Sequence, residues 1–301
     1  MLRVGFGART ANSLSTTSAG KQSISDRGKG ANSVIRAIAG TDMAVWLDAD
    51  DIVTGSGEKL GTWTAKFGTG PDQSVSNNQP YYQPSGFNNR PGVQFDDDPI
   101  NFLYWTNGAL NATNHASNTV AHVTYHTGSE VEGGGAAIFE LGNPNYWQSQ
   151  DGITAWYLTS SAVYHALGNG SDTFEENTTS DISFFNAMVS VYDRNQGTGP
   201  DMISGTINGE PMIPRIDIDN KHQYSSGSAT VTEWAAESCH LAARVNGGPS
   251  GGTPAYPLCG YMREFIVLNR AITSYESCRL SSALMEKSGI HEFHTSRATA
   301  E

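Results

Sequence analysis

The chain has 301 residues, 38% of them hydrophobic and 10% aromatic, enough to fill a large core and too many for a disordered chain. Charged residues are 16%, below the roughly 25% of an average domain. The net charge of −12 argues against general nucleic-acid binding, which needs lysine and arginine to neutralise phosphates. No run reaches the ~18 apolar residues of a membrane span, and the first residues show no apolar signal segment. Cys239, Cys259 and Cys278 are odd in number and lack C-x-x-C spacing, so free thiols are expected rather than a disulfide framework or a zinc site.

Residues 1–41 read as a polar, basic arm. Arg3, Arg9, Lys21, Arg27, Lys29 and Arg36 stand there against Asp26 alone. The arm is expected to lie outside the core, either as a solvated tail or as a segment that anchors the chain to a partner. Its last piece, Ser33–Ala39, fits a short helix or a strand equally well.

From Met43 the text changes. Ala44–Leu47 is a short apolar run closed by Asp48, Asp50 and Asp51. Gly61–Phe67 is the next strand candidate, and Ile100–Trp105 follows the acidic turn Asp96, Asp97, Asp98. Thr119–Tyr125, Ala187–Tyr192 and Met202–Ile207 alternate with period two, as half-buried strands do. Asn208-Gly209 predicts a tight hairpin, because both residues tolerate positive φ. Gly260–Leu268 is a further strand. One helix follows: Thr273 and Glu276 have capping-box spacing, Leu280 and Leu284, with Cys278, supply an apolar face, and Gly289 stops it. Short strands separated by Gly, Asn, Pro and Asp predict an all-β antiparallel sandwich over residues 42–290, with residues 291–301 a polar tail.

Several strings in this order resemble the concanavalin A-like, laminin-G-like jelly roll. Val45-Trp46-Leu47-Asp48-Ala49-Asp50-Asp51 resembles that family's "W-L-D-A-S-D" opening strand. Asn78-Gln79-Pro80-Tyr81-Tyr82 and Gly86 to Asp96 resemble its "N-x-x-P-x-Y" and "G-x-N-G-x-P-x-x-x-F-D-G" segments, with Asp97 where the family has Gly. Gly260 to Thr273 resembles its closing strand, and Lys287-Ser288-Gly289-Ile290 its helix end. The resemblance implies a jelly-roll sandwich and, through copies of this domain with a short leading arm, a virion protein of a tailed bacteriophage. Such a protein would decorate a head, form a head fibre or belong to a tail, anchored through the arm and assembled as a homo-oligomer in the host cytoplasm.

Candidate chemistry is sparse. A glycoside hydrolase needs two facing carboxylates. Asp217-Ile218-Asp219 lacks a glutamate, and Glu175 and Glu176 are adjacent and would point to opposite faces of a strand. A catalytic role is therefore not expected, and a glycoside hydrolase is the weakest of the alternatives. Asp96, Asp97 and Asp98 are the candidate calcium ligands, with a plain acidic turn as the alternative. His122 and His126 lie four apart on a strand and would share a face, without the spacing of a zinc motif. Tyr81, Tyr82, Tyr146 and Trp147 are the candidate glycan-stacking residues, while Trp156 and Tyr157 fit either that role or the core. The alternative to a virion role is thus a carbohydrate-binding or receptor-binding module, with a glycan as ligand and no membrane or nucleic-acid partner.

Overall fold

In the computed structural model the described residues are 24–105, 110, 117–127, 135–142, 152–158, 162–168, 173–178, 185–193, 203–212, 239–246 and 253–290. They form helix α1 (Ile24–Ala39), sixteen strands and helix α2 (Ser274–Ser288). The strands are β1 (Met43–Asp48), β2 (Tyr81–Phe87), β3 (Arg90–Phe95), β4 (Leu103–Trp105), β5 (Ser117–His126), β6 (Ala136–Gly142), β7 (Gly152–Leu158) and β8 (Ala162–Gly168). They continue as β9 (Thr173–Thr178), β10 (Phe185–Asp193), β11 (Ile203–Ile207), β12 (Glu210–Pro211), β13 (Cys239–Leu241), β14 (Arg244–Asn246), β15 (Thr253–Ala255) and β16 (Gly260–Leu268).

Two antiparallel sheets carry the fold. One has the order β12-β11-β10-β5-β16-β3-β2, with β1 also paired to β16; the other has the order β4-β13-β6-β7-β8-β9. Alternation sorts the side chains into layers. On β5 and β10, Val120, His122, Met188 and Tyr192 point between the sheets and meet Phe139, Ile153, Ala155 and Tyr157 from the second sheet. The odd-numbered Ala121, Val123, Ala187 and Val189 point the other way and are covered by α1 and α2. The result is helices on a large sheet on a smaller sheet.

On β16 one edge pairs with β5, while the other is shared by β3 at Gly260–Met262 and β1 at Glu264–Leu268. A bulge leaves Arg263 unpaired at the junction. Its guanidinium is buried, donating to the Pro91 carbonyl at 2.7 Å and to Asp50 at 2.6 Å, and so ties β3 to the end of β1.

Local signals formed as read. The Asn208-Gly209 turn has φ of 50° and 83° and closes the Ile207–Glu210 pair. Thr273 and Glu276 form the reciprocal capping box, and Gly289 ends α2 in the left-handed region at φ 68°. Leu280 and Leu284 are buried, Cys278 is half-buried, and the three cysteines form no disulfide.

Two expectations change. The sequence places the arm outside the core, yet residues 24–39 of it are α1. Ala31, Ile35, Ile38 and Ala39 recur at helical spacing, are buried, and join Met43, Trp46 and residues of α2 in one apolar cluster. Gly61–Phe67 was read as a strand, but it makes only isolated bridges, Thr62 with Asp72 and Phe67 with Trp46. Trp63 is fully buried there, and Gly68 and Gly70 permit backbone approaches that a Cβ would block, meeting the Ala44 carbonyl at 2.2 Å and the Trp63 carbonyl at 1.9 Å.

Candidate functional site

The register of the large sheet assembles a row that no single segment contains. Phe185 on β10 pairs with Tyr125 on β5, Tyr125 with Tyr261 on β16, Tyr261 with Gln94 on β3, and Gln94 with Tyr81 on β2. Lys59 bridges Tyr81 at the far end. Directly paired residues in antiparallel strands share a face. The row therefore crosses five strands, about 20 Å at the usual strand spacing. It lies on the helix-bearing face of the sheet, one step beyond the part that the helices cover, and its members from Phe185 to Tyr81 are half-buried.

The apolar half of the row is a stack. Tyr125 and Phe185 lie 4.9 Å apart at 26°, and Tyr125 and Tyr261 lie 6.0 Å apart at 30°. Buried Phe87 closes the stack edge-on at 4.9 Å from Phe185. Two glycines seat Tyr261: a Cβ at Gly86 would stand 2.5 Å from its Cε1, and one at Gly92 3.6 Å from its Cδ1.

The polar half is a relay. Gln83 Nε2 donates to Gln94 Oε1 at 3.0 Å, the Tyr261 hydroxyl donates to the same oxygen at 3.4 Å, and Gln94 Nε2 donates to Asp96 at 3.0 Å. Burial raises the Tyr261 phenol above its ordinary pKa, with the Asp96 carboxylate and then Tyr125 adding to the effect, so Tyr261 stays a hydrogen-bond donor. Lys59 sits 5.9 Å over the Tyr81 ring while donating to the Ser76 carbonyl at 2.8 Å.

Of the residues singled out in the sequence, Tyr81 belongs to this row. Tyr82, its neighbour, points to the opposite face and is buried, as alternation requires, so the two do not form a joint platform. Tyr146 and Trp147 lie outside the described residues, as do Asp217 and Asp219. Trp156 and Tyr157 are buried on β7. Asp96 enters the relay, whereas Asp97 and Asp98 are exposed in the turn that an Asp97–Ile100 bridge closes. Asn101 secures this turn through its own N–H on the Asp96 carbonyl at 3.0 Å and by accepting from the Asp96 N–H at 3.2 Å. Among the described residues no group of three or more His, Cys, Asp or Glu side chains is placed to hold a metal ion.

The other acidic cluster is matched by cations. Buried Asp48 meets Lys287 at 2.5 Å and Lys66 at 2.7 Å, Asp51 meets Lys66 at 3.0 Å, and Asp50 meets Arg263. Lys287 also bonds buried Glu264, which accepts from the Trp46 indole at 3.2 Å. Burial works to raise Asp48, but Lys287 and Lys66 hold it below the usual carboxylate range. Burial raises Glu264, against the pull of Lys287. Of the basic arm, Arg3, Arg9 and Lys21 lie outside the described residues. The backbone of Arg27 and Lys29 is in α1, and Arg36 lies 5.4 Å over the Trp46 ring, against the molecule itself.

The row was not legible beforehand because its members come from five strands. Their one sequence signal is an aromatic at the end of an alternating run, as at Tyr125, Phe185 and Tyr261.

No protein-family model matches the chain, and no curated protein does. Among solved structures it is similar to the CBM40 of Ruminococcus gnavus IT-sialidase, bound to α2,3-sialyllactose, at 14% identity and a TM-score of 0.42 over 75% of this chain and 96% of that one. It is similar to a leech intramolecular trans-sialidase at 14% identity and a TM-score of 0.43, over 79% of this chain and 28% of that one. It is also similar to Trypanosoma rangeli sialidase in complex with the inhibitor DANA, at 12% identity and a TM-score of 0.47, over 88% of this chain and 39% of that one. The chain thus spans well under two thirds of either whole sialidase. At these scores the likeness carries no argument about function, and no residue role is taken from it.

Proposed function

We propose that this chain is a non-catalytic carbohydrate-binding β-sandwich whose glycan lies across the Phe185–Tyr125–Tyr261–Gln94–Tyr81 row. The row itself carries the reading. A half-buried aromatic stack beside a chain of amide, phenol and carboxylate groups offers apolar C–H contact and hydroxyl recognition side by side. The Asp96 carboxylate at its polar end accepts from hydroxyls and repels acidic groups, which favours a neutral glycan. A glycan array probed with the full chain tests this. Binding to neutral glycans, lost in Tyr261→Ala and Tyr81→Ala proteins of unchanged circular dichroism, is expected. An array without bound glycan, or binding untouched by both substitutions, contradicts it. Incubation with any bound glycan should release no reducing ends, and release would make the protein a hydrolase.

A second reading, a tailed-phage virion protein, is favoured by one sequence feature: Arg3, Arg9 and Lys21 ahead of α1. Because α1 packs on the sandwich, the anchor in this reading is residues 1–23. Their deletion should leave the fold intact and abolish incorporation into particles, and retained incorporation would remove the anchor.

A further inference from the structure

Two histidines lie inside the sandwich, shut off from the surface. His122 on β5 and His165 on β8 are fully buried, and they face each other's sheets across the interior. His122 Nδ1 lies 3.4 Å from the Thr124 hydroxyl, with its ring edge-on to Phe139 at 5.8 Å. His165 Nδ1 lies 3.0 Å from the Ser190 hydroxyl and 3.5 Å from that of Tyr192. Among the described residues neither Nε2 has a hydrogen-bond partner. Around them Thr124 and Tyr157 share a 2.6 Å bond, and Asn186 donates to Tyr157, so the surrounding hydroxyls are largely committed to one another.

The titratable groups that face these rings settle what a proton would meet. From β5 come His122 and, at the rim, His126, stacked 5.0 Å from Tyr157. From β10 comes Tyr192, from β7 Tyr157, and from β8 His165. From β6, β11 and β16 the apolar core between the sheets includes Phe139, Ile203, Ile207, Met262, Phe265 and Val267, and the buried charge at the β16 bulge, Arg263, is paired with Asp50. Glu264 and Asp48 face the helices, and Glu140 lies on the outer face of the smaller sheet, paired with His240 and Thr154. The β8–β9 register sets Glu176 opposite His165.

We propose that His122 and His165 are an acid-sensitive fastener between the two sheets, closed while both imidazoles are neutral and opened when protons are taken up. The inference does not depend on the carbohydrate reading. Each step is a bare protonation, one proton from solvent onto one ring nitrogen, with no co-reactant. Burial pushes both rings down to about 3, and His165 also weighs against a charge on His122. An unfolded imidazole binds its proton near pH 6.5. A depressed folded pKa means that the stabilising contribution is complete above about pH 6.5 and is lost as pH falls towards 3. Each such ring raises the unfolding constant about tenfold per pH unit inside that window, and two raise it about a hundredfold. His240, pushed down by burial to about 4, adds to the same slope from the outer face.

Urea unfolding of the full chain at several pH values between 6 and 4.5 reads this slope, above most carboxylate titration. His122→Asn and His165→Asn should each lower the proton uptake on unfolding by about one. An unchanged slope in both overturns the fastener. Glu176→Gln should leave the His165 difference in place, and its disappearance overturns the isolated-ring account of His165. Should either histidine variant fail to fold, imidazole C2–H resonances of the wild-type protein decide. His122 and His165, among the eight histidines, should stay untitrated from pH 7.5 down to unfolding, with His240 taking up its proton only towards pH 4. If all titrate with ordinary midpoints in the folded protein, the proposal fails.

Discussion

Lys287 shows how much one side chain can hold. It lies in the last turn of α2, where a cation also complements the helix dipole, and its ammonium is shared by Asp48 and Glu264 with every partner buried. Removing one member of a buried ionic cluster leaves the remaining charges uncompensated. Lys287→Met should therefore lower stability by about 3–5 kcal/mol, read as a fall in the urea midpoint at unchanged slope. A loss within experimental error would mean that the carboxylates find other partners, Lys66 first. Gly86 is the opposite kind of residue, decisive through what it lacks. A methyl there meets both the Tyr261 ring at 2.5 Å and the Gln83 Cβ at 2.7 Å, so both must give. Gly86→Ala should weaken glycan binding about tenfold, the worth of one aromatic contact, and lower the melting temperature as well. Equal affinity in the two proteins would detach Tyr261 from the binding row.

At the scale of elements, legibility followed how local the signal was. Helix α2 announces itself because Thr273, Glu276 and Gly289 satisfy its end groups within one turn. The Asn208-Gly209 hairpin does so because its backbone demands φ values those residues supply cheaply. Helix α1 does not. Gly28 and Gly30 dilute its propensity, and its face of Ala31, Ile35 and Ile38 acquires meaning only against Trp46 and α2, residues the chain has not yet reached. Its stability is thus tertiary. Ile35→Ala should cost about 2–5 kcal/mol, as for a buried large-to-small change. Deletion of residues 1–23 should leave the melting temperature in place, whereas deletion through Asp42 should lower it. If both deletions melt alike, α1 is dispensable and the arm is separable after all.

At the scale of the molecule, period-two alternation on β5 and β10 predicts two faces, and the structure uses both: one against the second sheet, one under the helices. Alternation assigns a residue to a face but not to a neighbour. The order β10-β5-β16-β3-β2 brings Tyr81 and Gln94 beside Tyr261, far apart in the chain, and that order follows from how the sheets close, not from any local string. Hence the sandwich is readable from the sequence, while the row that joins Tyr81 to Tyr125, Phe185, Tyr261 and Gln94 is not. The same closure buries His122 and His165 and leaves the aromatic row at the end of the helix-covered face.

The most direct test of this account is a ¹H–¹⁵N spectrum of the full chain titrated with a neutral glycan taken from the array. Shifts confined to Tyr81, Gln83, Gln94, Asp96, Tyr125, Phe185 and Tyr261 are the predicted result. Shifts centred instead on Tyr104, Glu140, Trp156 and His240, on the outer face of the smaller sheet, would contradict it.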